Sequence, residues 1–279
     1  MILVTGAKGQ LGFDVSAELQ KRSIPHIPTD VDTLDITDEE AVNEFFNKNN
    51  ITSVIHCAAY TAVDKAESEK ELCFKVNVTG SENLAKAAAK TDGKMIYVST
   101  DYVFPGEGEA PFEVHDKKGP QNVYGESKLL GEEVVKKHLS KYFIVRTSWV
   151  FGEKNTNFIH TMLRLSETRS EVSVVSDQVG SPTYAKDLAR LLCDMIVTEK
   201  FGEYHARNDG FCSWNELAEE TFRLAGKDVK VNPVTSDEYK TAARRPKNSR
   251  LSMAAVKENG FTPLQHWKDA VKEYLGNIL

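Results

Sequence analysis

The chain has 279 residues, enough for one large α/β unit or roughly two domains. Its 35 Lys and Arg against 41 Asp and Glu leave a net charge of −6, which argues against a protein that coats nucleic acid. With 41% hydrophobic and 27% charged residues, it is neither disordered nor fibrous.

Met1 runs directly into Ile2-Leu3-Val4 with no leader pattern, and no later run approaches the ~20 apolar residues that span a bilayer, so no membrane partner is expected. Cys57, Cys73, Cys193 and Cys212 lie far apart without CxxC spacing, which reads as four reduced thiols in a cytoplasmic protein.

The first half alternates short β-branched runs with helical patterns, the mark of βαβ units and a parallel sheet. Strands are expected at Ile2–Thr5, Ile24–Thr29, Ser53–Cys57, Lys94–Ser99 and Tyr142–Thr147. Between them, helices are expected at Gln10–Lys21, Asp38–Asn47, Glu67–Lys90 and Val123–His138. Beyond Trp149 the pattern loosens to a helix over Asn157–Ser166, a strand over Val172–Val175 and helices over Tyr184–Thr198, Glu216–Ala225 and Trp267–Leu275. The fold class is therefore α/β, a Rossmann-type doubly wound parallel sheet with a smaller, interleaved C-terminal lobe. Residues 1–150, completed by about 184–206, form the expected dinucleotide-binding domain; 151–183 and 207–279 form the substrate lobe.

Thr5-Gly6-Ala7-Lys8-Gly9-Gln10-Leu11-Gly12 follows the first strand and opens the first helix. Gly6 permits the tight turn, Gly9 the approach of a pyrophosphate and Gly12 the close packing of helix on strand. No Gly-Lys-Ser/Thr follows, so a P-loop does not fit. Asp30, 18 residues beyond Gly12, stands near where a carboxylate binds the adenine ribose, though a turn carboxylate is an equal reading. Asp35-Ile36 could edge the adenine instead, and Lys8 offers a cation to a 2′-phosphate.

Tyr124 and Lys128 are four apart on one helical face, a phenol beside an ammonium able to stabilise its phenolate and to hold cofactor ribose hydroxyls. The strand ending Ser99-Thr100-Asp101 should finish at the ligand-binding edge of the sheet and offer a hydroxyl to a substrate carbonyl. Arg244, Arg245, Lys247 and Arg250 place four cations within seven residues, either a diphosphate site or a solvated loop. His56 reads as a packed histidine, and Trp214 and Trp267 as core. His26, His115, His138, His160, His205 and His266 have no metal-ligand spacing.

With these features in place, Thr5–Gly12, Tyr60-Thr61-Ala62-Val63-Asp64-Lys65-Ala66-Glu67, Ser99-Thr100-Asp101-Tyr102-Val103-Phe104, Asn122–Gly125, Arg146-Thr147-Ser148-Trp149 and Arg245–Leu251 resemble the dTDP-4-dehydrorhamnose reductases, extended short-chain dehydrogenase/reductases. The resemblance spans nearly the whole chain. It implies reduction of the 4-keto group of dTDP-4-dehydro-L-rhamnose by NADP(H) or NAD(H). It implies Tyr124 as proton donor, Lys128 as its partner and Thr100 as the carbonyl-binding hydroxyl. Gly6, Lys8, Gly9, Gln10, Leu11, Gly12, Asp30, Asp35, Ile36, Ala58, Ala59 and Tyr60 would line the cofactor. Val63, Asp101, Tyr102, Trp149, Arg245 and Arg250 would meet the sugar nucleotide.

Some family members hold Mg2+ at a dimer contact; Asp14 could serve, but Lys186 stands where a second carboxylate is needed, so no metal is expected. A homodimer is left open. Rival readings are another NAD(P)-dependent sugar-nucleotide epimerase or reductase, and a non-catalytic cofactor-binding regulatory subunit. A dehydratase would need an acidic base where Tyr102 stands.

Overall fold

Ile2 to Thr5 are buried on both faces of the first strand, as a central parallel strand requires. The computed structural model describes all 279 residues. From β1 (Ile2–Thr5) the chain passes through α1 (Gln10–Lys21), β2 (His26–Thr29), α2 (Glu39–Asn49) and β3 (Ser53–His56). Four short helical pieces follow: α3 (Val63–Ala66), α4 (Lys70–Phe74), a π-helical turn over Lys75–Gly80, and α5 (Ser81–Lys90). Next come β4 (Lys94–Thr100), α6 (Val123–His138) and β5 (Tyr142–Thr147). The remainder comprises β6 (Val150–Phe151), α7 (Phe158–Ser166), β7 (Glu171–Val175), β8 (Val179–Gly180), β9 (Thr183–Tyr184), α8 (Ala185–Ile196) and β10 (Gly202–His205), then β11 (Cys212–Ser213), α9 (Trp214–Leu224), β12 (Lys230–Val234), α10 (Ala254–Glu258) and α11 (Trp267–Ile278).

Six strands form one parallel sheet in the order β10-β5-β4-β3-β1-β2. The chain winds outward from β1 through β2, then reverses to β3 on the other side, so the C-terminal ends of β1 and β3 flank a topological switch point, where open α/β sheets bind ligands. Ile2 and Val4 face one way and pack with Val15 of α1 and Leu188, Leu192 and Ile196 of α8. Leu3 faces the other way, with Phe46 of α2, Leu84 of α5 and Val135 of α6. A separate cluster of Met162, Val172, Val174, Ala218 and Phe222 holds α7 and α9 against the β7/β12 pair.

Two departures from the sequence expectation matter. The helix expected over Glu67–Lys90 runs unbroken from Lys70 to Lys90 but widens to π-helical geometry over Lys75–Gly80, where Asn77 turns its amide inward. That amide accepts the Tyr60 backbone N–H at 2.8 Å and donates to the Tyr60 carbonyl at 3.1 Å and to Ser127 Oγ at 2.9 Å, so the helix gives up regular geometry to fasten the loop after β3 to α6. The second is the sixth strand, β10, whose Gly-Glu-Tyr-His sequence is too polar to read as buried. It is stable at the sheet edge because Glu203 accepts from Arg146 at 2.6 Å.

Candidate active site

The glycine turn sits at the mouth of the switch point. Gly6 has φ +67°, and a Cβ there would lie 2.7 Å from the Ala58 backbone nitrogen on the neighbouring strand end. A Cβ on Gly12 would collide with the Gly6 carbonyl, so α1 rests directly on the turn with its N-terminus toward the cleft. That cleft, about 1090 Å³, brings together Gly6, Lys8, Gly9, Gln10, Leu11, Gly12, Asp30, Asp35, Ile36, Ala58 and Ala59. Such a backbone cradle suits a dinucleotide pyrophosphate. The Asp30 carboxylate is occupied from two sides, accepting the N–H of Lys8 at 2.9 Å and of Val31 at 2.8 Å. Lys8, expected to offer a free cation, is instead paired with Asp32 at 2.6 Å. Tyr60 departs from the cofactor wall because Asn77 binds both its backbone groups, and its hydroxyl donates to Glu69 at 2.6 Å.

Asn122 caps α6 by accepting the Gly125 N–H at 2.8 Å, which sets the first turn and aims Tyr124 and Lys128 into the same cleft. Gly125 is required there, since any side chain would strike the Tyr102 carbonyl. Thr100, at the end of β4, donates to Asp101 Oδ1 at 3.1 Å and shares the cleft with Tyr124. Burial holds the Tyr124 phenol well above its ordinary pKa; the Thr100 hydroxyl opposes this and Asp101 reinforces it. Burial thus favours the protonated phenol of Tyr124, the form an acid needs. Burial lowers the Lys128 ammonium to about 7, partly offset by Glu132. Burial raises the Asp101 carboxyl to about 6, and its Oδ2 has no partner. Tyr102 packs edge-on to Tyr124 at 5.6 Å and is pushed up to about 12 by burial, so it offers no base at neutral pH.

On the far wall, Trp149 adopts φ +50°, a costly conformation for a large side chain. It is held there by stacking on Trp214 at 3.7 Å and by Gly180, where a Cβ would sit 3.0 Å from the indole. Trp214, expected in the core, is half-buried and lines the cleft with Phe158 and Leu217. Its role was invisible in sequence because a tryptophan at the start of an amphipathic helix ordinarily packs inward. Val63, Asp101 and Tyr102 line the cleft as expected. Arg245 reaches it paired to Asp64 at 2.7 Å, with a buried Nε that has no partner. Arg250 does not: its guanidinium donates to Asn248 at 3.0 Å and borders an adjoining polar cleft that meets the first at Arg245.

A family described as the RmlD substrate binding domain matches residues 1–279. A curated dTDP-4-dehydrorhamnose reductase of Streptomyces griseus is 41% identical over 278 residues, covering 97% of this chain and 91% of that one. The crystal structure of a dTDP-4-dehydrorhamnose reductase from Clostridium acetobutylicum superposes with a TM-score of 0.97 at 44% identity, covering 99% of both chains. One from Bacillus anthracis, solved in complex with NADP, gives 0.96 at 40% identity over 99% and 98%. This chain belongs to the dTDP-4-dehydrorhamnose reductase family.

Against that family frame, the residues around Asp14 do not fit a metal. Burial and Glu153 raise the Asp14 carboxyl to about 6, while the Lys186 ammonium opposes the rise. Lys186 itself pairs with Glu273 at 2.8 Å, so the cluster already contains its cation. Two asparagines that sequence reasoning passed over join the lobe to the glycine turn. Asn155 donates to the Lys8 carbonyl at 3.2 Å, and Asn157 to Gln10 Oε1 at 3.3 Å. Neither spacing nor periodicity marks them, since both act across 147 residues of chain.

Proposed function

We propose that this protein reduces the 4-keto group of dTDP-4-dehydro-L-rhamnose with NADPH or NADH, giving dTDP-L-rhamnose. The observation that carries this reading is the convergence of Tyr124, Thr100 and Lys128 on the cleft that also contains the Gly6–Gly12 turn. In it, residues 1–150 with 184–206 hold the cofactor, and 151–183 with 207–279 hold the sugar nucleotide. The free thiols fit a cytoplasmic setting, and no helix is long and apolar enough to cross a membrane.

The bound reduced nicotinamide supplies a hydride to C4. The Thr100 hydroxyl, turned from Asp101, donates a hydrogen bond to the carbonyl oxygen, and Tyr124 Oη gives that oxygen its proton as charge develops. Lys128 directs its N–H groups to the cofactor ribose and, when charged, stabilises the phenolate left behind. The Trp149–Trp214 stack gives the deoxysugar an apolar wall, and Arg245, freed from Asp64, meets the diphosphate. One ketone, one reduced cofactor and one proton become one alcohol and one oxidised cofactor.

The test is stoichiometric: keto-sugar nucleotide generated in situ should oxidise one equivalent of cofactor, whereas simple ketones lacking the nucleotide should oxidise none. Arg245→Ala should mainly raise KM for the sugar nucleotide. Cofactor binding without oxidation would favour the regulatory reading, and return of the cofactor to its starting state would favour an epimerase.

A further inference from the structure

Lys128 is 2% exposed, yet its ammonium has neither a carboxylate within ion-pair distance nor any hydrogen-bond partner in the protein. What lies against it is an aromatic face: Nζ sits 4.0 Å from the centre of the Tyr97 ring. Tyr97 is a fully buried residue of β4 that carries no site role in the reading above. Its hydroxyl donates to the Lys128 carbonyl at 3.3 Å, locking the ring to the helical turn that carries the lysine. Gly131, one turn on, makes room, because a side chain there would collide with the Tyr97 hydroxyl.

We propose that Tyr97 is a positioning residue that seats the Lys128 ammonium by a cation–π contact and leaves all its N–H donors for the cofactor. The choice of an aromatic face has a physical reason. A carboxylate beneath Lys128 would accept one or two of its N–H groups and cancel its field at Tyr124; a ring face attracts the cation but takes no N–H. The attraction grows with burial, and Lys128 is almost wholly buried.

The ring is itself backed by His56, 5.7 Å away in β3, which accepts or donates to Thr5 Oγ1 at 2.7 Å and Ser81 Oγ at 3.1 Å. Burial, with the Lys128 charge, lowers His56 to about 3, so no second cation forms behind the ring at working pH. The remaining titratable groups that bear on Lys128 are Glu132 of its own helix, Cys57 beyond β3 and Cys73 of α4. Glu132 is already engaged by Arg146 and Ser99.

The inference rests on Lys128 holding the cofactor, and the experiment separates the two claims. NADH affinity is titrated against pH in Tyr97→Phe and in versions of that variant whose phenylalanine carries one, two or three fluorines. These keep the ring in place while draining its face of charge. Affinity should fall stepwise with fluorination, to about a tenth for the most fluorinated ring or for Tyr97→Leu, and the pH at which affinity is lost should move downward. Tyr97→Phe itself should stay within about threefold of the parent, having lost one hydrogen bond but no ring face. A flat response to fluorination overturns the proposal, as does a Tyr97→Phe loss equal to that of Tyr97→Leu. Lys128→Met is the control: if it leaves NADH affinity unchanged, the cofactor role of Lys128 fails. If it weakens NADH while fluorination does nothing, only the role of Tyr97 fails.

Discussion

Asp30 accepts the backbone N–H of Lys8 at 2.9 Å while the Lys8 ammonium turns away to Asp32 at 2.6 Å. The carboxylate that would repel a 2′-phosphate is thus anchored to the glycine turn, and the cation that would welcome one is already partnered. Weak discrimination between NADPH and NADH follows. Asp32→Ala should release Lys8 and improve the NADPH/NADH ratio of kcat/KM about threefold, an exposed pair being worth little. The gain should shrink in high salt. A parent preference above ~100-fold for either cofactor would show that one of the two groups dominates.

Tyr124→Phe keeps the ring and loses only the proton. Turnover should fall by ~10²–10⁴ with NADH affinity nearly intact. Measured side by side by cofactor absorbance and binding titration, a variant retaining more than about a tenth of the parent kcat removes Tyr124 as the donor.

The pH dependence should belong to Lys128 and not to Tyr124. Burial places Lys128 at about 7 and Tyr124 far above neutrality, so NADH affinity should decline as pH rises through about 7, where the ammonium loses its proton. Lys128→Arg, charged throughout, should abolish that decline even if overall affinity is lower. A decline that persists in the arginine variant assigns it elsewhere.

Trp214→Ala removes half of the stacked wall and the support that keeps Trp149 at positive φ. KM for the keto-sugar nucleotide should rise about 3–10-fold, as loss of an aromatic pair predicts, with NADH affinity unchanged. Equal losses for both ligands would point to collapse of the lobe.

Below the site, Arg146 and Glu132 form a fully buried pair at 2.6 Å, extended to Ser99 and Glu203. Glu132→Gln removes one of the two carboxylates that balance the buried guanidinium, leaving Glu203 at 2.6 Å, and should cost about 1.5–3 kcal/mol, seen as a melting temperature roughly 5 °C lower. Burial alone would raise Glu203, but Arg146 and Lys136 hold it below the ordinary range. Its contribution is therefore present above the unfolded value of ~4.3 and lost as pH falls through the folded one. Glu203→Gln should flatten this part of the acid limb.

The local chemistry of the chain was legible in one dimension. A glycine turn between a buried strand and a helix has few uses, and the i, i+4 spacing of Tyr124 and Lys128 needs only helix geometry to place both on one face. The parallel sheet was legible because strands buried on both sides must be apolar throughout, which is why polar β10 was not. Partnerships across long chain separations were decided by the tertiary structure alone. Whether Arg245 faces the cleft and Arg250 the neighbouring one, and whether Trp214 is core or wall, turn on how the segments after Trp149 pack beside the sheet, whereas Lys8 is spent on Asp32 because β2 lies beside β1. The same is true of the protonation states. Sequence places an ammonium near a phenol, but only the burial around Tyr124, Lys128 and Asp101 determines that the phenol keeps its proton, because desolvation acts on each group through neighbours drawn from distant segments.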